Sequence, residues 1–157
     1  MDRIVGIGEY AISGDINDIL KTFALSSCVA LTAYDPIKKI LGMVHIALPS
    51  SETMKNRIIA NPAYYADTAV PLLIHKMCPG YGCIKEELEI RLFGGSESAR
   101  EDEIFNIGMS NIQMVESVLS KMNLAICYSD TRGNMTRSIT ADVATGTVKV
   151  VYQPLCI

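Results

Sequence analysis

The stretch from Thr22 to Ile46 reads TFALSSCVALTAYDPIKKILGMVHI, and the fold prediction starts from its pattern. The run Ser27–Tyr34 is apolar with few charges, which predicts a buried strand. An Asp-Pro turn signal follows, and Ile40–Leu48 predicts the returning strand of a hairpin. This hairpin would place Cys28, at the start of one strand, beside His45 on the other.

Cys28 and His45 have the chemistry of a nucleophile and its base. A cysteine attacks as a thiolate, so it needs a nearby base, and we expect His45 to raise the thiolate fraction of Cys28. The imidazole in turn needs a group that orients it, and Thr22 can do this through its hydroxyl or its backbone carbonyl. Backbone N–H groups around Ser27-Cys28 are candidates for an oxyanion hole, and Ser26 and Ser27 are the candidate residues for substrate or oxyanion binding. The alternative is that Cys28 is a small core residue, as free cysteines often are.

The rest of the chain predicts further strands and two principal helices. Strands are expected at Ile4–Ile12, Leu88–Phe93, Leu124–Tyr128, Thr136–Val143 and Thr147–Tyr152, the last two as a hairpin. The segment Ile16–Leu20 fits either a short helical turn or an extended connection. The pattern therefore predicts an α+β domain.

The first helix is expected to begin at Asn61-Pro62, a capping residue followed by proline. Pro71 should kink this helix or divide it. The second helix is expected over Asn106–Met122. Ser50–Asn61 predicts a long loop, and the charged run Ser96–Glu103 predicts an exposed surface.

Composition narrows the class of protein. The chain has 157 residues, 49% of them hydrophobic, which favours one globular domain over residues 1–157. A net charge of -3 indicates no basic face for nucleic acid. No apolar run is long enough to span a bilayer and the N-terminus does not read as a signal peptide, so we expect a cytoplasmic protein that is not membrane-embedded.

Cysteine and histidine spacing gives no second site as strong as the hairpin. The five cysteines are an odd number, which argues against a disulfide framework in a cytosolic chain. His75, Cys78 and Cys83 are three possible metal ligands without a fourth nearby, which fits no zinc pattern. Asp130 and Arg137 suggest an ion pair that braces a loop. We expect neither a metal nor an organic cofactor.

Several separate motifs along nearly the whole chain resemble the CheD family of chemoreceptor glutamine deamidases. They are VGIGEY (5–10), SCVA (27–30), HIALP (45–49), YADTAV (65–70), GG (94–95), NIG (106–108) with Asn111, and DTRGN (130–134) with Arg137. Their order along the chain makes the match specific.

The resemblance implies both a fold and an activity. The fold would be a layered α/β sandwich with a mixed, largely antiparallel sheet, similar to the cytotoxic necrotising factor-type cysteine deamidases. Cys28 would be the nucleophile, His45 the base and Thr22 the third member of a triad. The activity would be hydrolysis of glutamine side-chain amides in the cytoplasmic helices of methyl-accepting chemotaxis proteins, with no cofactor. A CheC-type phosphatase would be a regulatory partner.

The chain departs from the family's usual pattern at two places. Ala24 and Ser26 replace glycines in a Gly-Leu-Gly-Ser-Cys pattern, and Arg132 replaces a glycine in Asp-x-Gly-Gly. A side chain is strained wherever the backbone keeps a positive φ. Two interpretations follow: an active protein-glutamine deamidase, or a non-catalytic protein of the same fold that modulates a CheC-type phosphatase.

Overall fold

A computed structural model describes residues 1–54, 61–97 and 106–154. Along these residues the elements are β1 (Asp2–Ile4), β2 (Tyr10–Ser13), β3 (Ile19–Leu25), β4 (Val29–Asp35), β5 (Ile40–Ile46), α1 (Ala66–Tyr81), β6 (Glu89–Gly94), α2 (Ile107–Lys121), β7 (Ile126–Thr131), β8 (Met135–Asp142) and β9 (Val148–Pro154). Short 3₁₀ turns lie at Ser51–Met54, Pro62–Tyr64 and Lys85–Glu87.

The strands form two sheets that pack face to face. One sheet has four strands in the order β1-β3-β8-β9, and the other has five in the order β2-β5-β4-β6-β7. Pairs β1–β3 and β6–β7 are parallel and the other pairs are antiparallel. Helices α1 and α2 cover the second face of the five-stranded sheet. The predicted layered α+β sandwich with two principal helices is confirmed.

Strand β4 lies at the centre of the five-stranded sheet, and every one of its residues is buried. Val29, Leu31 and Ala33 pack towards the helices, whereas Ala30 and Tyr34 pack towards the four-stranded sheet. Burying one large apolar side chain contributes about 1.5–3 kcal/mol. The unbroken apolar run of the sequence is therefore explained by burial on both faces of this strand.

The predicted strand Ile4–Ile12 is wrong. The structure instead contains β1 and β2, which belong to different sheets. Between them the chain turns, with the Glu9 N–H donating to the Gly6 carbonyl over 3.0 Å. The β-branched residues on both sides of this turn made two short strands look like one.

Strand β3 extends well beyond the segment whose conformation the sequence left open. Leu20 and Thr22 point into the core, and Lys21 and Phe23 lie on the outer side. Thr22 therefore belongs to the four-stranded sheet, opposite the sheet that carries His45. The other predicted strands agree with the structure to within three residues at each end.

Helix α1 continues through Pro71 as one helix, so a division of the helix at this proline is wrong. The alternative, a kink at Pro71, stays a prediction. One apolar stripe on both sides of the proline is buried, which keeps the two halves against the same sheet. Its buried members are Ala66, Ala69, Val70, Leu73, Ile74 and Met77. Asn61 caps the short 3₁₀ turn at Pro62, and α1 itself begins at Ala66. Helix α2 lies within the predicted Asn106–Met122.

The two predicted loops are only partly described. The loop Ser50–Asn61 begins with a 3₁₀ turn, and its residues 55–60 lie outside the described residues. Most of the charged run Ser96–Glu103 also lies outside them. Ser96 itself is buried, so the expected exposure is wrong at that residue.

Gly94 provides a test of how closely the end of β6 approaches the loop that carries Cys28. A Cβ atom on Gly94 would lie 2.4 Å from the Cys28 carbonyl oxygen, and its φ is +102°. Gly82 also has a positive φ, +73°, but has open space around it.

We expect Gly82→Ala to lower the free energy of unfolding by about 1 kcal/mol. Gly94→Ala should lower it by about 2–4 kcal/mol, because a steric clash adds to the strain. Urea unfolding measures both, and equal losses would contradict the close approach.

Candidate active site

His45 points into the space between the two sheets. It lies on β5, directly opposite Ala30 on β4, and only 2% of its surface is exposed. Cys28 precedes Ala30 by two residues and packs against the cluster between the sheets. Because side chains alternate along a strand, Cys28 and His45 share one sheet face as diagonal neighbours. The hairpin itself is as predicted, although the two residues are not directly opposite each other.

Thr22 contacts His45 across the gap between the sheets. Its Oγ1 lies 2.6 Å from His45 Nδ1 and 2.6 Å from the Val5 carbonyl oxygen. A carbonyl oxygen only accepts, so the single hydroxyl proton of Thr22 must be donated to Val5. Thr22 Oγ1 then accepts the Nδ1–H of His45. The hydroxyl of Thr22, rather than its backbone carbonyl, thus orients the imidazole.

This arrangement defines the tautomer of His45. With its proton on Nδ1, the neutral ring carries a free lone pair on Nε2. Nε2 is buried and has no hydrogen-bond partner among the described residues. Burial lowers the pKa of His45 from 6.5 to about 4, against a smaller opposing effect of the Val5 backbone. At neutral pH the imidazole is therefore an uncharged base.

Burial has the opposite effect on the nucleophile. Cys28 is half-buried, and desolvation raises the pKa of its thiol above the ordinary value of 9.0. The expectation that His45 raises the thiolate fraction is thus wrong for the unliganded protein. Burial therefore favours the neutral form of both groups. In the described part of the chain no hydrogen bond joins the thiol to Nε2.

Hydrogen bonds to backbone carbonyl groups fix the loop that carries Cys28. The Ser26 carbonyl accepts from the Ser96 N–H at 2.7 Å, and the Cys28 carbonyl accepts from the Gly95 N–H at 2.9 Å. The N–H groups of Ser27 and Cys28 donate to no other described residue. The predicted oxyanion hole at these N–H groups stays a prediction. The bend at Gly94-Gly95 therefore lies directly against the backbone of this loop.

The loop that carries Cys28 begins at a strained residue. The pairing of β3 with β8 is irregular between Thr22 and Leu25, and Ala24 has a φ of 56°. A left-handed alanine costs about 1 kcal/mol relative to the ordinary conformation. Ala24 thus has the positive φ that a glycine would adopt without strain, whereas Ser26 has an ordinary φ. Arg132, the other replaced glycine, also keeps a positive φ, of 70°.

Arg137 braces the far side of this loop. Its Nε donates to Asp130 at 3.0 Å, its Nη1 to Ser96 Oγ at 2.9 Å, and its Nη2 to the Arg132 carbonyl at 2.8 Å. The hydroxyl of Tyr152 donates to the second oxygen of Asp130. The expected ion pair is confirmed. Its additional bond to Ser96, whose N–H holds Ser26, was not predicted.

Within residues 1–54, 61–97 and 106–154, no three His, Cys, Asp or Glu side chains are grouped as they would be to hold a metal ion. In the same parts of the chain, no helix combines the length and the apolarity needed to cross a bilayer.

Curated relatives match almost the full length of the chain. A "Probable chemoreceptor glutamine deamidase CheD" from Syntrophotalea carbinolica is 40% identical over 95% of this chain and 93% of its own. One of the same name from Pyrococcus horikoshii is 38% identical over 93% of this chain and 89% of its own. The "Chemoreceptor glutamine deamidase CheD" of Thermotoga maritima is 35% identical over 96% of this chain and 91% of its own.

Solved structures share the fold at low sequence identity. YlmD from Geobacillus stearothermophilus superposes with a TM-score of 0.52 at 7% identity, covering 79% of this chain and 50% of its own. The Bacillus licheniformis hypothetical protein YfiH gives 0.51 at 10% identity, covering 78% of this chain and 49% of its own. Residues 47–152 match the family profile described as CheD chemotactic sensory transduction. Together with the relatives, this match shows that the chain belongs to the CheD family.

Proposed function

We propose that the protein is a cysteine-dependent chemoreceptor glutamine deamidase that acts in the cytoplasm. The observation that carries the proposal is the hydrogen bond between Thr22 Oγ1 and His45 Nδ1, which leaves Nε2 free on the sheet face shared with Cys28. The names of the relatives supply the substrate class, which is glutamine in chemoreceptors.

The first half of the reaction forms a thioester. The Cys28 thiol gives its proton to His45 Nε2, and Sγ attacks the side-chain amide carbon of the glutamine. The N–H groups of Ser27 and Cys28 bind the oxygen that becomes negative. His45 then returns the proton to the departing nitrogen, and ammonia leaves as the tetrahedral intermediate collapses.

The second half uses water. His45 Nε2 takes a proton from a water molecule, whose oxygen attacks the thioester carbon. The C–S bond breaks, the thiolate recovers the proton, and a glutamate side chain is released. The sum is one amide and one water converted to one carboxylic acid and one ammonia, so the reaction needs no cofactor.

The neutral state of Cys28 and His45 before substrate binds determines the order of proton transfer and attack. Because both Cys28 and His45 are uncharged before substrate binds, proton transfer accompanies attack rather than preceding it. Substrate must bring the two side chains into a hydrogen bond, since Nε2 has no partner among the described residues. Catalysis thus depends on the receptor helix completing the site.

Regulation is part of the same proposal. The family resemblance suggests that a CheC-type phosphatase binds this domain and controls it. A non-catalytic role in that complex remains the alternative function, and the strained Ala24 ahead of Cys28 is the observation that favours it. Assays of ammonia release separate the two functions.

The pH dependence of activity tests the state of His45. Burial favours the neutral imidazole, so its pKa lies at about 4 and the base form persists well below pH 6.5. We expect kcat/KM for a purified receptor cytoplasmic domain to stay level from about pH 7 to about pH 5, and to fall only below that, because kcat/KM follows the free enzyme. Circular dichroism at each pH controls for unfolding. A half-maximal loss near pH 6.5 would show an ordinary histidine instead.

Substitution at Thr22 tests the orienting hydroxyl. Thr22→Val keeps the shape of the side chain but cannot accept the Nδ1–H, so the productive tautomer is no longer favoured. We expect kcat to fall about 100-fold or more, with a smaller change in KM. Thr22→Ser keeps the hydroxyl and should retain most of the activity. Equal activity of the valine and serine variants would rule out this role for the hydroxyl.

Removal of the thiol tests the proposed function itself. Cys28→Ala should release no ammonia from the receptor domain, whereas wild type should release one ammonia per glutamine with a mass gain of about one dalton. The matched control is Cys127→Ala, since Cys127 is an exposed cysteine outside the site. Full activity of Cys28→Ala would overturn the mechanism. A wild type that binds a CheC-type phosphatase but deamidates no receptor would support the non-catalytic alternative.

A further inference from the structure

All three backbone carbonyl groups of the loop Ser26–Cys28 accept hydrogen bonds. Two of the donors are backbone N–H groups, and the third is a side chain. Backbone N–H groups of Ser96 and Gly95 hold the first and third carbonyls. The second, the Ser27 carbonyl, accepts from Asn111 Nδ2 at 2.9 Å. Asn111 is therefore the point at which a side chain controls the peptide that precedes the nucleophile.

Asn111 reaches this loop from the second turn of α2 and is fully buried. Its Nδ2 also donates to the Ala47 carbonyl at 3.1 Å, two residues after His45. Both partners are carbonyl oxygens, which only accept, so the amide nitrogen must face them. One side chain thus joins the peptide before Cys28 to the end of the strand that carries the base.

The position of α2 against the loop is constrained by a backbone contact. A Cβ atom on Gly108 would lie 2.5 Å from the Ser96 carbonyl oxygen and 2.7 Å from that of Gly95. The first turn of α2 therefore packs directly on the two residues that hold Ser26 and Cys28. Asn111 extends from an anchored helix, so its amide can impose a position on the loop.

Because the peptide bond is planar, the hydrogen bond to the Ser27 carbonyl also sets the direction of the Cys28 N–H. In a planar trans peptide the C=O and the N–H point in opposite directions. When Asn111 holds the Ser27 carbonyl on the side of α2, the Cys28 N–H of the same peptide is aimed away from the helix. That N–H donates to no other described residue.

We propose that Asn111 is a positioning residue for deamidation, which fixes the Ser27–Cys28 peptide so that the Cys28 N–H faces the oxygen of the substrate amide. The inference rests on the proposed function. A second observation fits it: Asn111 Oδ1 is buried without a hydrogen-bond partner among the described residues. An unpaired buried acceptor is unfavourable for stability, so the asparagine is a poor choice for a purely structural cross-link.

The test compares two Asn111 variants with a matched control. Asn111→Leu keeps the approximate size of the side chain but donates no hydrogen bond. Asn111→Asp keeps the shape, donates one hydrogen bond when protonated and none when ionised. The control is Thr32→Val, which removes a buried, unpartnered hydroxyl from β4 without touching the loop.

Kinetics on a receptor cytoplasmic domain give the first readout. We expect Asn111→Leu to lower kcat about 10- to 100-fold with KM within about threefold, because the donor to the oxyanion is misdirected after binding. Asn111→Asp should lose activity as pH rises from about 5.5 to 8, a trend that neither wild type nor Thr32→Val shows. If Asn111→Leu folds and has the kcat of wild type, the inference is overturned. If only Asn111→Asp folds, a flat pH profile with full activity overturns it.

The second readout does not need activity. In spectra of ¹⁵N-labelled protein, the amide resonances of Ser27 and Cys28 should move in the Asn111 variants and stay in place in Thr32→Val. Unmoved resonances would overturn the positioning role. Moved resonances in a protein whose wild type releases no ammonia would support the positioning of the loop while contradicting the proposed function.

Discussion

The site depends on one buried chain of hydrogen bonds, from His45 Nδ1 to Thr22 Oγ1 to the Val5 carbonyl. The chain crosses between the two sheets, so the orientation of the base is set by how the sheets pack. Between the sheets, a buried Nδ1–H or hydroxyl without a hydrogen-bond partner would lower the stability of the folded protein. Burial therefore favours the state in which both hydrogen bonds are formed. The same burial keeps the imidazole neutral. The packing of the two sheets therefore sets both the orientation and the charge of the His45 imidazole.

Cys28 lies where the chain passes from one sheet to the other. After the irregular end of β3 at Ala24, three residues bring the backbone to Cys28 and the start of β4. The carbonyl groups of Ser26, Ser27 and Cys28 are bound by the bend after β6 or by Asn111, and Arg137 supports the bend through Ser96. These contacts fix the backbone on both sides of the Ser27–Cys28 peptide.

Local patterns were enough to predict the β4–β5 hairpin, the two helices and the candidates Cys28, His45 and Thr22. Apolar runs, turn residues and capping residues carry that information over short distances. What sequence alone could not show was long-range: that Thr22 lies on a separate sheet, or that Val5 accepts its proton. Asn111 was noticed only within a family motif. Its role depends on contacts 84 and 64 residues away, which no periodicity encodes. The thiol's raised pKa was also missed, because it results from burial by both sheets.

Imidazole ¹⁵N NMR at neutral pH directly measures the tautomer of His45 in the free protein. With ¹⁵N-labelled histidine, the exposed His75 provides an internal reference for a ring in water. We predict that His45 Nδ1 resonates as a protonated nitrogen and Nε2 as an unprotonated one. A His45 with its proton on Nε2, or with both nitrogens protonated at pH 7, would contradict it.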